Sequence, residues 1–93
     1  MEYNQDFVIM GDVLKRYNGH DSDVTIPESV SSIGHSALKD CQSLTRVTIP
    51  AGVTEIGWNA FQGCENLTIH APAGSFAEQY AKENDIRFEA AAG

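Results

Sequence analysis

The sequence predicts a mainly β solenoid with one helix near its C terminus. The main observation is a repeat, in which VTIPESVSSIGHSALKDCQSLTR (24–46) is followed at once by VTIPAGVTEIGWNAFQGCENL (47–67), with matching residues 23 positions apart. A fixed period of this size is typical of a solenoid, where one supersecondary unit stacks on the next. Short β-prone segments before the repeats and a helical pattern after them complete the prediction.

The residues shared by the two repeats are those that build a core. Apolar residues at Val24, Ile26, Val30, Ile33, Ala37, Cys41 and Leu44 recur as Val47, Ile49, Val53, Ile56, Ala60, Cys64 and Leu67. The alternation V-T-I predicts a half-buried strand, and the proline that follows ends it because proline cannot donate to the ladder. Gly34 and Gly57 are expected at a positive φ or at a close backbone approach.

Before the repeats, two apolar runs flank a turn. Phe7–Met10 and Val13–Tyr17 surround Gly11-Asp12, which predicts a β-hairpin over 7–17. A polar loop follows at 18–23. An open solenoid end exposes apolar core and an unpaired strand edge, so we expect the hairpin to be an N-terminal cap.

After the repeats, the spacing shortens by one residue, and 68–72 is expected to form a terminal strand with Ile69 and Ala71 inward. Ser75 is a good N-cap, and Glu78 completes a capping-box pattern. Apolar residues then fall on one helical face, at Phe76, Ala77, Tyr80 and Ala81. We therefore expect a capping helix and a short strand over 75–88, and one domain over 1–93.

Composition limits the classes of partner. The net charge is −7, with the acidic residues scattered along the chain, which argues against direct nucleic-acid binding because that depends on Lys and Arg. No apolar run approaches the roughly 20 residues that cross a bilayer, so no membrane partner is expected. The N terminus, MEYNQDFVIMGD, lacks the features of a signal peptide. The expected location is the cytoplasm if the chain is complete, and the cell surface or exterior if it is a fragment.

Candidate chemistry is sparse. Cys41 and Cys64 share a repeat position, and equivalent side chains point the same way, so we expect reduced, buried thiols. The loop His20–Asp23 lacks the ligand number and spacing of a calcium site. No nucleophile, base and orienting residue occur together, and there is no phosphate-binding glycine loop. We expect no enzymatic activity, no metal and no cofactor.

The repeat unit has the pattern V-x-I-P-x-x-V-x-x-I-G-x-x-A-F-x-x-C-x-x-L, and LTRVTI (44–49) fits the L-x-x-L-x-L skeleton of leucine-rich repeats. The pattern resembles the BspA-like (Treponema-type) leucine-rich repeat family, with two full repeats here. GSFAEQYAKENDIRF (74–88) resembles the terminal segment of such arrays. The resemblance implies a short leucine-rich-repeat solenoid capped by the hairpin and the helix, and a surface or secreted protein involved in adhesion.

Residues that the scaffold does not use are the candidates for partner binding. Thr25, Thr48 and His70 are expected on the outer face of successive strands, with Arg46 beside them. Trp58 occupies a variable position at the coil edge, and exposed tryptophan is enriched at interfaces. Packing of Trp58 on a neighbouring loop is the alternative.

These residues favour a non-enzymatic protein–protein interaction module. The alternative is a small acidic intracellular inhibitor that binds a basic nucleic-acid-binding effector, such as a bacterial defence nuclease, because acidic proteins can occupy basic clefts. A third hypothesis is that the chain is only the end of a longer array.

Phe61, which replaces Leu38 at the same core position, tests the register. Phe61→Ala should lower the free energy of unfolding by about 3–5 kcal/mol, because it removes a large buried ring and leaves a cavity. Thermal or urea denaturation measures the loss. A variant that unfolds like the wild type would place Phe61 outside the core.

Overall fold

A computed structural model describes residues 7–91 of the chain. Within these residues it contains eight strands and one helix: β1 (Phe7–Met10), β2 (Val13–Tyr17), β3 (Asp23–Thr25), β4 (Ser32–Ile33), β5 (Arg46–Thr48), β6 (Glu55–Ile56), β7 (Thr68–Ala71), α1 (Phe76–Glu83) and β8 (Arg87–Ala90). The prediction of a mainly β chain with one helix near the C terminus is confirmed. No helix in this described part is long and apolar enough to cross a membrane.

One sheet begins with the hairpin and has the strand order β1-β2-β4-β6; we call it the hairpin sheet. Strands β1 and β2 are antiparallel, with Phe7 opposite Tyr17. Strand β2 then pairs in parallel with β4, so that Leu14 lies opposite Ile33, and Ile33 lies opposite Ile56 of β6. The hairpin thus continues the strand stacking of the repeats at one end.

The other sheet has the order β3-β5-β7-β8 and is parallel throughout; we call it the helix-linked sheet, because α1 connects β7 to β8. Val24 lies opposite Val47, and Val47 lies opposite Ile69 despite the shortened spacing. In the last pairing, Ile69 of β7 lies opposite Phe88 of β8. The sequence predicts a short strand near Phe88 but does not indicate which strand it pairs with.

The core lies between these elements and consists of the repeated apolar residues. Leu14, Ile33, Leu38, Leu44, Val47, Ile49 and Ile69 are completely buried. Phe61 is 6% exposed and contacts Tyr80 with ring centroids 6.1 Å apart. Inward residues of both sheets belong to one cluster, so the two coils share a single core.

Helix α1 begins where the capping pattern indicated. The Ser75 hydroxyl accepts a hydrogen bond from the Glu78 amide at 3.3 Å, and the Glu78 carboxylate accepts one from the Gly74 amide at 2.6 Å. Ala77 and Ala81 are buried, but Phe76 is 40% exposed. The expectation that the whole apolar stripe covers the last coil is therefore only partly met. The two small alanines make the close contact, and the Phe76 ring is left at the rim.

Gly57 lies where the backbones of the two coils approach closely. Its amide donates to the Ile33 carbonyl at 2.6 Å. A Cβ atom added at Gly57 would lie 2.6 Å from the His35 nitrogen and 2.7 Å from the Gly34 carbonyl carbon. Both neighbours are backbone atoms and cannot rotate away. Close approach, rather than a positive φ, is the reason for glycine here.

We expect Gly57→Ala to lower the free energy of unfolding by about 2–3 kcal/mol, because the added methyl group forces the stacked coils apart. Gly52→Ala is the matched control, since a Cβ at Gly52 meets nothing within 4 Å. Urea denaturation of the two variants measures the difference. Equal stability would contradict the close stacking.

Candidate protein-binding surface

The outward side chains of the helix-linked sheet form a regular surface, which we call the strand face. Side chains alternate across a strand. Val24 of β3, Val47 of β5 and Ile69 of β7 are buried, so the residues on either side of them point outward. One row contains Thr25, Thr48, His70 and Glu89 in lateral register, and the next contains Asp23, Arg46, Thr68 and Arg87. The strand face thus holds four of the five residues that the sequence singled out for partner binding.

Side chains at the centre of the strand face contact one another. The Arg46 Nη2 atom lies 3.1 Å from His70 Nδ1, and Thr48 Oγ1 lies 3.4 Å from the same nitrogen. The same Nη2 atom lies 3.4 Å from His70 Nε2, and because a guanidinium group only donates hydrogen bonds, the imidazole is the acceptor. Glu89 Oε1 lies 3.8 Å from Arg46 Nη2. Four side chains from β5, β7 and β8 are therefore held in one cluster.

This cluster orders the surface more than it stabilises the fold. The side chains of Arg46 and Glu89 are 42% and 62% exposed, and an exposed ion pair of this kind contributes at most about 1 kcal/mol. Its effect is to restrict long side chains that would otherwise sample many rotamers. Ordered polar groups bind a partner at a lower entropic cost.

The charge of the strand face differs from that of the whole chain. The two rows contain Arg46, Arg87, Asp23 and Glu89, so their formal charges cancel, whereas the chain has a net charge of −7. Glu89 joins the surface only because β8 pairs with β7. Sequence reasoning missed it and Arg87, since nothing local to residues 87–90 indicates that neighbour.

Trp58, the fifth candidate residue, lies elsewhere. It follows β6 of the hairpin sheet and is 75% exposed. Its amide nitrogen lies 3.2 Å from His35 Nδ1 of the preceding coil. Its ring lines a groove beside α1, together with Phe76 and Tyr80. The structure therefore separates Trp58 from the strand face, and the ring is not packed away on a loop.

The thiols are poorly suited to chemistry. Cys41 and Cys64 are free and partly buried, rather than fully buried as expected. Burial raises the pKa of Cys64 to about 11, and burial, followed by the Asp40 charge, also raises the pKa of Cys41. Thiols protonated at neutral pH are weak nucleophiles.

The polar loop after β2 is tied locally. The Tyr17 hydroxyl donates to Asp21 Oδ2 at 3.2 Å. Among residues 7–91, no group of three or more His, Cys, Asp or Glu side chains could hold a metal ion.

Comparison with known proteins agrees with the repeat pattern. A family model described as a BspA type leucine rich repeat region, in six copies, matches residues 17–81. A crystal structure of a T. pallidum leucine rich repeat protein (TpLRR) matches with a TM-score of 0.58 and 29% sequence identity, covering 70% of this chain. The chain spans 37% of the length of that protein. No curated protein matches the sequence.

The raised pKa of Cys64 predicts a loss of stability at alkaline pH. The folded state favours the protonated thiol, so its contribution is full below pH 9.0 and is lost as the pH rises towards about 11. Burial also raises the pKa of Tyr80, so Cys64→Ala is needed to isolate the thiol. Urea denaturation under reducing conditions should show the wild type losing more stability than this variant across that range. Parallel curves would contradict the prediction.

Proposed function

The chain belongs to the BspA-type leucine-rich-repeat family, and we propose that it binds another protein through its strand face. The observation that carries this proposal is the cluster of Arg46, His70, Thr48 and Glu89 on three adjacent strands. Repeat scaffolds of this type present variable side chains on a fixed backbone, which suits binding to a macromolecule. Adhesion, as the family resemblance implies, is the context we propose for such binding.

The proposed partner presents both signs of charge. The strand face offers guanidinium donors next to carboxylate acceptors, so a complementary surface needs an acidic and a basic residue close together. An inhibitor that occupies a strongly basic cleft would need a surface dominated by carboxylates. The balanced charge of the strand face therefore favours the interaction module over the acidic-inhibitor alternative.

We also propose that the two ends of the stack act as caps of a short solenoid. At one end, β2 pairs with β4, and the Gly34 amide donates to the Leu14 carbonyl at 2.8 Å. At the other end, Ala77 and Ala81 of α1 are 1% and 0% exposed. Each segment covers core that a further coil would otherwise cover.

Reversal of charge at the centre of the strand face tests the proposed function. Arg46→Glu should reduce the recovery of bound proteins at least about tenfold, as measured by quantitative affinity capture. The substitution removes the guanidinium donor of the cluster and places a second carboxylate beside Glu89. The matched control is Arg16→Glu, which makes the same charge change at an exposed residue of β2.

Both variants should denature at the wild-type temperature, since exposed substitutions change stability little. Wild-type chain and Arg16→Glu should recover the same proteins, and Arg46→Glu should lose them. Equal recovery by all three chains, or equal loss in both variants, would contradict binding through the strand face.

A further inference from the structure

The two coils are joined by a row of backbone hydrogen bonds in their turns. The amides of Ser36, Leu38 and Asp40 in the first coil donate to the carbonyl oxygens of Trp58, Ala60 and Gln62 in the second, at 3.1, 2.8 and 2.6 Å respectively. Donors and acceptors are therefore paired one to one, and both are spaced two residues apart along their coils. This shows which backbone groups a coil offers on the side facing the C-terminal end of the stack.

The second coil repeats this backbone conformation. Ser36 and its equivalent Asn59 have φ values of 55° and 59°, and Asp40 and its equivalent Gly63 have φ values of 60° and 87°. The amides of Asn59, Phe61 and Gly63 are therefore the equivalent donors, and they face away from the first coil. Within residues 7–91 these three amides have no hydrogen-bond acceptor. We call them the terminal amide row.

Helix α1 lies next to the terminal amide row but does not supply acceptors to it. Carbonyl oxygens in a helix are used by the helix itself, and two near its end are also bonded, since Tyr80 accepts from Asn84 and Ala81 accepts from Ile86. The helix covers the core only with apolar side chains. A further coil of the repeat would have satisfied these amides with carbonyl oxygens of its turn, whereas the helix does not.

A groove of about 560 Å³ lies between the second coil and α1. It is lined by Asn59 of the terminal amide row and by four aromatic side chains, at Trp58, Phe61, Phe76 and Tyr80. Trp58 and Phe76 are 75% and 40% exposed, an unusual exposure for two large apolar residues that line the same groove. The only charged side chain among the residues lining it is Glu83.

We propose that this groove binds a peptide segment of a partner protein, which offers carbonyl oxygens at alternate residues to the terminal amide row, as the turn of residues 58–62 does in the existing contact. The segment would place an apolar side chain between Trp58 and Phe76 and a basic residue near Glu83. The amides and the carbonyl oxygens have complementary partial charges, and the contact continues the one that already joins the two coils. Main-chain hydrogen bonds to free backbone groups are a common source of affinity in peptide recognition.

A folded second copy of this chain fits the groove less well than a free peptide segment. Its first coil is already engaged by its own hairpin, since the Ala37 carbonyl accepts from the Tyr17 amide at 2.8 Å and the Leu14 carbonyl accepts from the Gly34 amide at 2.8 Å. That coil cannot present a free row of carbonyls without displacement of the hairpin. Self-association is therefore an outcome that the experiment must distinguish.

The probe is a synthetic peptide based on the segment whose carbonyls accept in the existing stack. It has the sequence of residues 53–63 with Glu55→Lys, to add a positive charge, and Trp58→Leu, to remove its tryptophan. Trp58 is then the only tryptophan in the sample, because the chain contains a single one. Its fluorescence should shift to shorter wavelength on titration as the peptide removes it from water.

Amide exchange measured by NMR on the ¹⁵N-labelled chain reports the hydrogen bonds directly. At a peptide concentration about ten times Kd, exchange at Asn59, Phe61 and Gly63 should slow roughly tenfold, while amides of the strand face keep their rates. Phe76→Ala should weaken peptide affinity about tenfold, and Val8→Ala, at an exposed apolar residue of β1 that is 41% exposed, should not.

Three results would overturn the proposal. One is unchanged exchange at the terminal amide row with the chain folded and Trp58 saturated. Another is equal peptide affinity in Phe76→Ala and Val8→Ala. The third is protection of these amides without peptide, together with a mass that rises with concentration in sedimentation, which would assign the groove to a second copy. The Arg46→Glu variant should bind the peptide normally, so either proposal can fail without the other.

Discussion

Backbone contact between the two coils is the constraint on which the rest of the structure depends. At Gly57 the second coil approaches the first so closely that a Cβ atom would lie 2.6 Å from the His35 nitrogen. Hydrogen bonds hold the register of the coils on both sides of this contact, from the Gly57 amide to the Ile33 carbonyl and from the Ser36 amide to the Trp58 carbonyl. The repeat in the sequence is the consequence of this geometry, since each coil must present the same backbone shape to the next.

Stacking in register also divides the side chains by role. Residues at repeated positions fill the shared core. The residues between them point outward and form rows, in which the distance between neighbours is the distance between paired strands. The contacts between Arg46 and His70 follow from this, because the two residues lie on adjacent strands of one parallel sheet. A surface of ordered side chains on a rigid backbone is well suited to protein recognition and offers little for catalysis.

The way in which the stack ends gives the chain its second distinctive surface. A helix is an efficient cover for apolar core, since Ala77 and Ala81 allow close contact. It is a poor cover for backbone donors, because its own carbonyls are already bonded. The same element therefore leaves the terminal amide row, together with the exposed rings of Trp58 and Phe76, at the end of the second coil.

The sequence by itself determined the features that depend on local periodicity: the two coils, their inward residues, and the start of the helix at Ser75. It also indicated that Arg46 and His70 would lie near each other, because the terminal strand was expected to stack on the strand of the second repeat. Two features follow from the tertiary structure alone: β8 pairs with β7 and brings Glu89 to Arg46, and the thiols are partly exposed. The pairing of β8 depends on where a segment outside the repeat packs against the core, and the exposure of the thiols depends on how neighbouring turns pack around them. Neither is set by residues near them in sequence.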